Sequence, residues 1–92
     1  MAMMIVTYRV MPEDGEVEYS KLEEVTKQTV ENYHETAKIL NVEEHAVGFG
    51  LKAVKIKFQV DENQGSEPLE IKLTELEEIG DVIVEEMSRA MG

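Results

Sequence analysis

Between residues 54 and 60 the chain alternates without a slip. Val54, Ile56, Phe58 and Val60 are apolar, and Lys55, Lys57 and Gln59 stand between them. A period of two sends successive side chains to opposite faces of an extended backbone, so this is a half-buried strand. The run leading into it is Val47-Gly48-Phe49-Gly50-Leu51-Lys52-Ala53, a bulky aromatic between two glycines. Glycine permits close approach and positive φ. With no side chain on either neighbour, Phe49 has a clear path to solvent or to another chain. Two arrangements fit: a tight connection that folds the ring back into the core, or one that presents it outward.

The rest of the chain supplies partners for that strand. Residues 3–11 read as a first strand, with Met4, Val6, Tyr8 and Val10 on one face and Ile5, Thr7, Arg9 and Met11 on the other. Pro12-Glu13-Asp14-Gly15 then breaks it with turn chemistry. From Glu18 a helical rhythm takes over. Leu22, Val25, Thr29, Tyr33 and Ala37, flanked by Val30 and Leu40, step at three or four residues. The spacing predicts a helix reaching about Asn41, with Ser20 as N-cap and Glu23 completing a capping box. A second strand is expected at about 42–49, the third at about 51–61, and a polar loop at 61–66. Pro68 suits the first turn of a second helix, with Leu69, Leu73 and Leu76 buried and Gly80 at its C′ position. The last strand is expected from Asp81 to about Met87, with Val82 and Val84 on one face.

The order is β-α-β-β-α-β, each helix with one apolar stripe and each strand with one apolar face. The economical packing is an α+β, ferredoxin-like sandwich: a four-stranded antiparallel sheet with both helices on one face, in a single domain over residues 1–92. Its second face is then uncovered. By strand parity that face displays Ile5, Thr7, Arg9, Lys55, Lys57 and Gln59. It is mildly basic, and either balances nearby acids such as Glu85 or serves a partner.

Charge narrows the function. Nine Lys and Arg against twenty Asp and Glu give a net charge of −11. Affinity for free nucleic acid rests on cations that neutralise phosphates, so direct RNA or DNA binding is not expected. A basic protein partner matches such a field better. There are no cysteines, which excludes disulfides and thiolate metal sites. No apolar run approaches the roughly 20 residues of a membrane span. The opening residues lack the form of a secretion signal, so a cytoplasmic protein is expected.

Catalytic constellations do not assemble. His34 and His45 have no adjacent nucleophile signature and no metal-ligand spacing. The contiguous pairs Glu23-Glu24, Glu43-Glu44, Glu77-Glu78 and Glu85-Glu86 diverge into solvent. GxxxxGK[ST] and GxGxxG motifs are absent. No catalytic residue, metal or cofactor is assigned. Ferredoxin-like folds host acylphosphatases, RNA-binding modules and metabolite sensors, so fold does not settle function. Here Met11-Pro12-Glu13-Asp14 stands where acylphosphatase chemistry wants an arginine-bearing phosphate loop, and the third strand's open face offers lysines where RNA-binding modules want aromatics.

Two stretches together carry a resemblance. Val10-Met11-Pro12-Glu13-Asp14, followed by the helix holding Leu22-Glu23-Glu24, resembles the opening of archaeal-type translation elongation factor 1-beta. The stretch from Val47 to Ile56 resembles that family's most characteristic block. The resemblance spans essentially the whole chain and implies the same ferredoxin-like fold. It implies a protein that is not an enzyme but a guanine-nucleotide exchange factor, promoting release of GDP from elongation factor 1-alpha so that GTP enters. Phe49 matches the aromatic that family members place against the GTPase, and Gly48, Gly50 and Lys52 match the same block. The family carries a basic residue, in the relatives a Lys, very near its C-terminus that reaches toward the Mg²⁺ site. Arg89 is the corresponding cation here, and Arg differs from Lys in reach and hydration. The alternative reading, from a different class, is a stand-alone ferredoxin-like module that oligomerises edge to edge and binds a small metabolite.

Overall fold

The computed structural model describes residues 2–90. Its element order is β1 Met3–Pro12, α1 Tyr19–Glu31, β2 Lys38–Gly48, β3 Leu51–Asp61, α2 Glu67–Thr74 and β4 Ile79–Ala90. The strands form one antiparallel sheet in the order β2-β3-β1-β4. This is the expected ferredoxin-like arrangement.

Strand alternation builds the core. Val6, Tyr8 and Val10 of β1 and Val54, Ile56, Phe58 and Val60 of β3 are sealed on one sheet face. Leu22, Val30 and Tyr33 press on them from the α1 side, and Leu69 and Leu73 from α2. Tyr8 and Phe58 meet edge to face, ring centroids 5.1 Å apart, a geometry favoured by the ring quadrupoles. The buried Tyr8 hydroxyl donates to the Ser66 carbonyl at 2.8 Å. The Tyr33 hydroxyl reaches the Gly65 carbonyl at 2.9 Å. These two tyrosines and the Thr36 hydroxyl, which accepts from the Asp61 N–H, pin the 61–66 loop.

The structure differs from expectation at both helix ends and in β2. Helix α1 stops at Glu31, where Asn32 turns into the bridge region (φ −91°, ψ 0°); its N–H reaches the Gln28 carbonyl, and the Tyr33 N–H reaches that of Val30. The predicted extension to Asn41 is therefore wrong, and Asn41 lies in β2. Tyr33 kept the helical rhythm because the turn after the helix returns it to the same core. The inward stripe is Leu22, Thr26 and Val30, with Val25 and Thr29 half-buried beside it. Thr26 is tolerated there because its hydroxyl donates to the Leu22 carbonyl at 2.7 Å. The Ser20 capping box does not form: Glu18 occupies the N-cap and makes no side-chain cap bond.

Gly80 is not a helix C′ residue. It sits in β4, where a Cβ would stand 2.8 Å from the Pro12 carbonyl oxygen and 3.0 Å from Glu13 Cα. Close backbone approach is what requires glycine there. Strand β4 also begins earlier and runs further than the predicted 81–87, with its register against β1 shifted between Thr7 and Tyr8 so that Glu85 is an extra residue.

Candidate functional site

The organising stretch becomes the tip of the β2–β3 hairpin. Gly48 pairs with Leu51, leaving Phe49 and Gly50 as a two-residue turn. Both have positive φ, 54° and 76°, as type I′ hairpin turns require. Gly48 precedes them at φ 94°, where Val47 makes the register slip. Nothing lies within 4 Å of a Cβ built at Gly48 or Gly50. The glycines are there for backbone angle and not for close approach.

Phe49 is the exception in that run. A bulky side chain in the left-handed region is a genuine outlier, and such strain clusters at functional sites. Its relative exposure is 103 %, so the ring is not folded back into the core. Lys52 stands nearby on β3, its Nζ 3.8 Å from Glu44 Oε2. A shallow hollow of about 170 Å³ beside the tip is lined by Pro12, Gly15, Val17, Tyr19, Leu51 and Lys52, together with Gly50.

The structure brings Gly48, Phe49, Gly50 and Lys52 together but sets Arg89 apart. Arg89 pairs in register with Met4, which faces Val60 on the other side. From Leu51 to Val60 the strand runs nine steps, about 30 Å at the rise of an extended backbone. The two candidate contacts therefore sit at opposite ends of a molecule 41 Å long. Arg89 is 67 % exposed on its side chain and is ion-paired with Glu62 of the pinned loop.

Residues 5–90 match the family described as the EF-1 guanine nucleotide exchange domain. The chain belongs to that family. Relatives named elongation factor 1-beta include one from Caldivirga maquilingensis, 34% identical over 97% of each chain. Another, from Methanosphaera stadtmanae, is 36% identical over 90% of this chain and 91% of its own. A third, from Methanococcus maripaludis, is 35% identical over 96% of this chain and 98% of its own. The exchange-factor function toward elongation factor 1-alpha expected from the sequence agrees with the family and these relatives.

Against this family background, the open sheet face is less basic than strand parity alone suggested. Glu85, the bulge residue of β4, lies 4.0 Å from Arg9 Nη1 and 3.9 Å from Lys55 Nζ. With Glu43 and Glu86 it lines a hollow of about 390 Å³ that also holds Thr7, Asn41 and Lys57. Of the two uses the sequence left open for this face, the ion pairs show the balancing of Glu85, and the extra residue in β4 brings Glu86 onto the same face opposite Thr7. His34 lies in the turn after α1, not on a helix face. Its Nδ1 accepts the Thr36 N–H at 3.2 Å. Among the described residues no group of three or more His, Asp or Glu side chains is placed to hold a metal ion. No described helix is long and apolar enough to cross a membrane.

Proposed function

We propose that this chain, acting as one exchange domain over residues 1–92, docks on the GDP form of elongation factor 1-alpha through residues 48–52 and weakens the GTPase's hold on GDP. The reading is carried by one observation: Phe49, in a strained backbone conformation at a hairpin tip, with its ring wholly in solvent. An exposed aromatic on a stiff turn loses little entropy on docking, and aromatics that fill a partner pocket dominate interface energetics. Gly48 and Gly50 set the backbone angle, and Lys52 charges the flank. Arg89 is the cation that reaches toward the GTPase's Mg²⁺ site.

The logic is linkage. An exchanger must bind the nucleotide-free GTPase more tightly than the GDP form, and by reciprocity GDP and exchanger then weaken each other. The chain makes and breaks no covalent bond in this scheme, and it works in the cytoplasm beside the ribosome cycle. Release of labelled GDP from elongation factor 1-alpha tests the function directly. Addition of the chain should accelerate release in proportion to its concentration until it saturates; an unchanged rate across that range would refute the proposal.

A further inference from the structure

The net charge of the chain is not spread evenly over its surface. Three connections share the end of the sheet that carries Phe49: residues 13–18 after β1, the hairpin 46–52, and residues 75–81 before and into β4. Together they hold eight carboxylates, Glu13, Asp14, Glu16, Glu18, Glu75, Glu77, Glu78 and Asp81, against the single ammonium of Lys52. Seven of the eight residues are exposed and Glu78 is half-buried. The two acidic connections are tied to each other, since the Glu13 N–H donates to the Glu78 carbonyl at 2.9 Å. The first also abuts the hairpin, because a Cβ at Gly15 would stand 3.7 Å from Leu51 Cδ2.

Local stability accounts for only part of this grouping: Asp14 and Asp81 accept backbone N–H groups, and Glu18 stands at the N-terminus of α1, where the helix dipole favours negative charge. Every ion pair among the described residues uses Glu23, Glu44, Glu62 or Glu85, and none of the eight takes part. Glu75 and Glu77 follow the C-terminus of α2, where the helix dipole disfavours negative charge. Like charges gathered without counter-ions repel one another and cost folding energy. The fold tolerates that cost at the end where it also strains Phe49.

We propose that these carboxylates form an acidic collar around the Phe49 tip, and that its counterpart is a partner surface with an apolar socket rimmed by lysine and arginine. This rests on the docking reading above and adds the chemistry of the surface that receives the tip. The collar sets how fast the partner is found, and the ring sets how long it is held. Long-range fields act on association, whereas desolvated contacts act on dissociation.

Stopped-flow association with elongation factor 1-alpha over a range of salt concentrations tests the collar. The variant Glu13→Gln/Glu16→Gln/Glu75→Gln/Glu77→Gln spares Asp14 and Asp81, whose carboxylates accept backbone N–H groups. A control, Glu24→Gln/Glu31→Gln/Glu35→Gln/Glu86→Gln, removes the same charge elsewhere. The collar variant should associate about tenfold more slowly at low salt, with a flatter salt dependence and an unchanged dissociation rate. The control should stay near the parent protein. Equal effects of the two variants, or no effect of the first, would overturn the collar. If instead Phe49→Ala leaves both dissociation and GDP release untouched, the docking reading itself fails and the collar loses its centre.

Discussion

Truncation of Phe49 to alanine separates an anchor from a core residue by two measurements that move in opposite ways. The ring is fully exposed, so the folded state loses almost nothing and stability should stay within about 0.5 kcal/mol. A core phenylalanine would lose about 3–5 kcal/mol on the same change. At roughly 4–8 °C per kcal/mol for a domain of this size, that would lower Tm by more than about 12 °C. Docking behaves otherwise. Burying a phenylalanine side chain is worth about 1.5–3 kcal/mol, so Phe49→Ala should raise the concentration giving half-maximal GDP release by about 10–150-fold. Phe49→Gly adds a control on strain. It relieves a left-handed penalty of roughly 1–2 kcal/mol and loses about 0.5–1 kcal/mol to backbone entropy. It should unfold at the parent temperature or slightly above, and exchange as poorly as the alanine variant. Calorimetry with the labelled-GDP assay checks all three proteins. A fall in Tm of more than about 10 °C for Phe49→Ala, the size that loss of a core phenylalanine gives, or full exchange activity in either variant, would refute the anchor.

Other perturbations read other parts of the molecule. Arg89→Ala should slow GDP release while binding stays near normal, and joint loss of both would make Arg89 an ordinary contact. Glu62→Gln removes the ion-pair partner of Arg89 and, as an exposed pair, should change stability by less than about 1 kcal/mol in thermal unfolding. Gly80→Ala drives a Cβ against the Pro12 and Glu13 backbone and should cost about 1–3 kcal/mol, as overpacking does, measured by urea unfolding. Burial pushes the Tyr8 hydroxyl up to about 12 from an ordinary 10.0. The unfolded chain can ionise that group where the fold cannot, so its contribution is intact below pH 10 and is lost as pH rises toward 12. Tyr8→Phe should therefore flatten alkaline destabilisation across that window. It should also cost about 1 kcal/mol at neutral pH through the lost bond to Ser66.

The sheet was legible because β1 and β3 alternate cleanly, and two unbroken strands with two amphipathic stretches leave few packings. The boundary between α1 and β2 was not legible. Asn32 ends the helix, but Tyr33 and Ala37 still pack on the core, so side-chain spacing carries no mark of the turn. Strand β2 hides its own period, since a slip between Ile39 and Asn41 makes Leu40 an extra residue. The register slips at Leu40 and Glu85 are backbone events, and neither position holds a glycine to announce it. At the candidate site the position of the turn was readable from Gly48 and Gly50. Whether the ring between them faced in or out was not, because both arrangements satisfy the same residue pattern.

In the proposed complex the two candidate contacts, set far apart, would do different work. A ring that fills a socket on the GTPase binds about equally well whether or not GDP is present, unless the socket itself changes. Uniform binding of that kind raises occupancy but cannot weaken the nucleotide's hold. Some second contact must favour the nucleotide-free state, and a cation entering the Mg²⁺ site does so because it competes with the metal that GDP needs. The chain presents the tip and Arg89 about 30 Å apart on one hydrogen-bonded sheet. A short domain can hold two such points at fixed spacing only if the element between them is stiff. Strand β1 provides that stiffness, paired along its length with β3 on one side and β4 on the other. In the proposed complex the anchored tip therefore fixes where Arg89 arrives, and the sheet's length selects which part of the GTPase it meets.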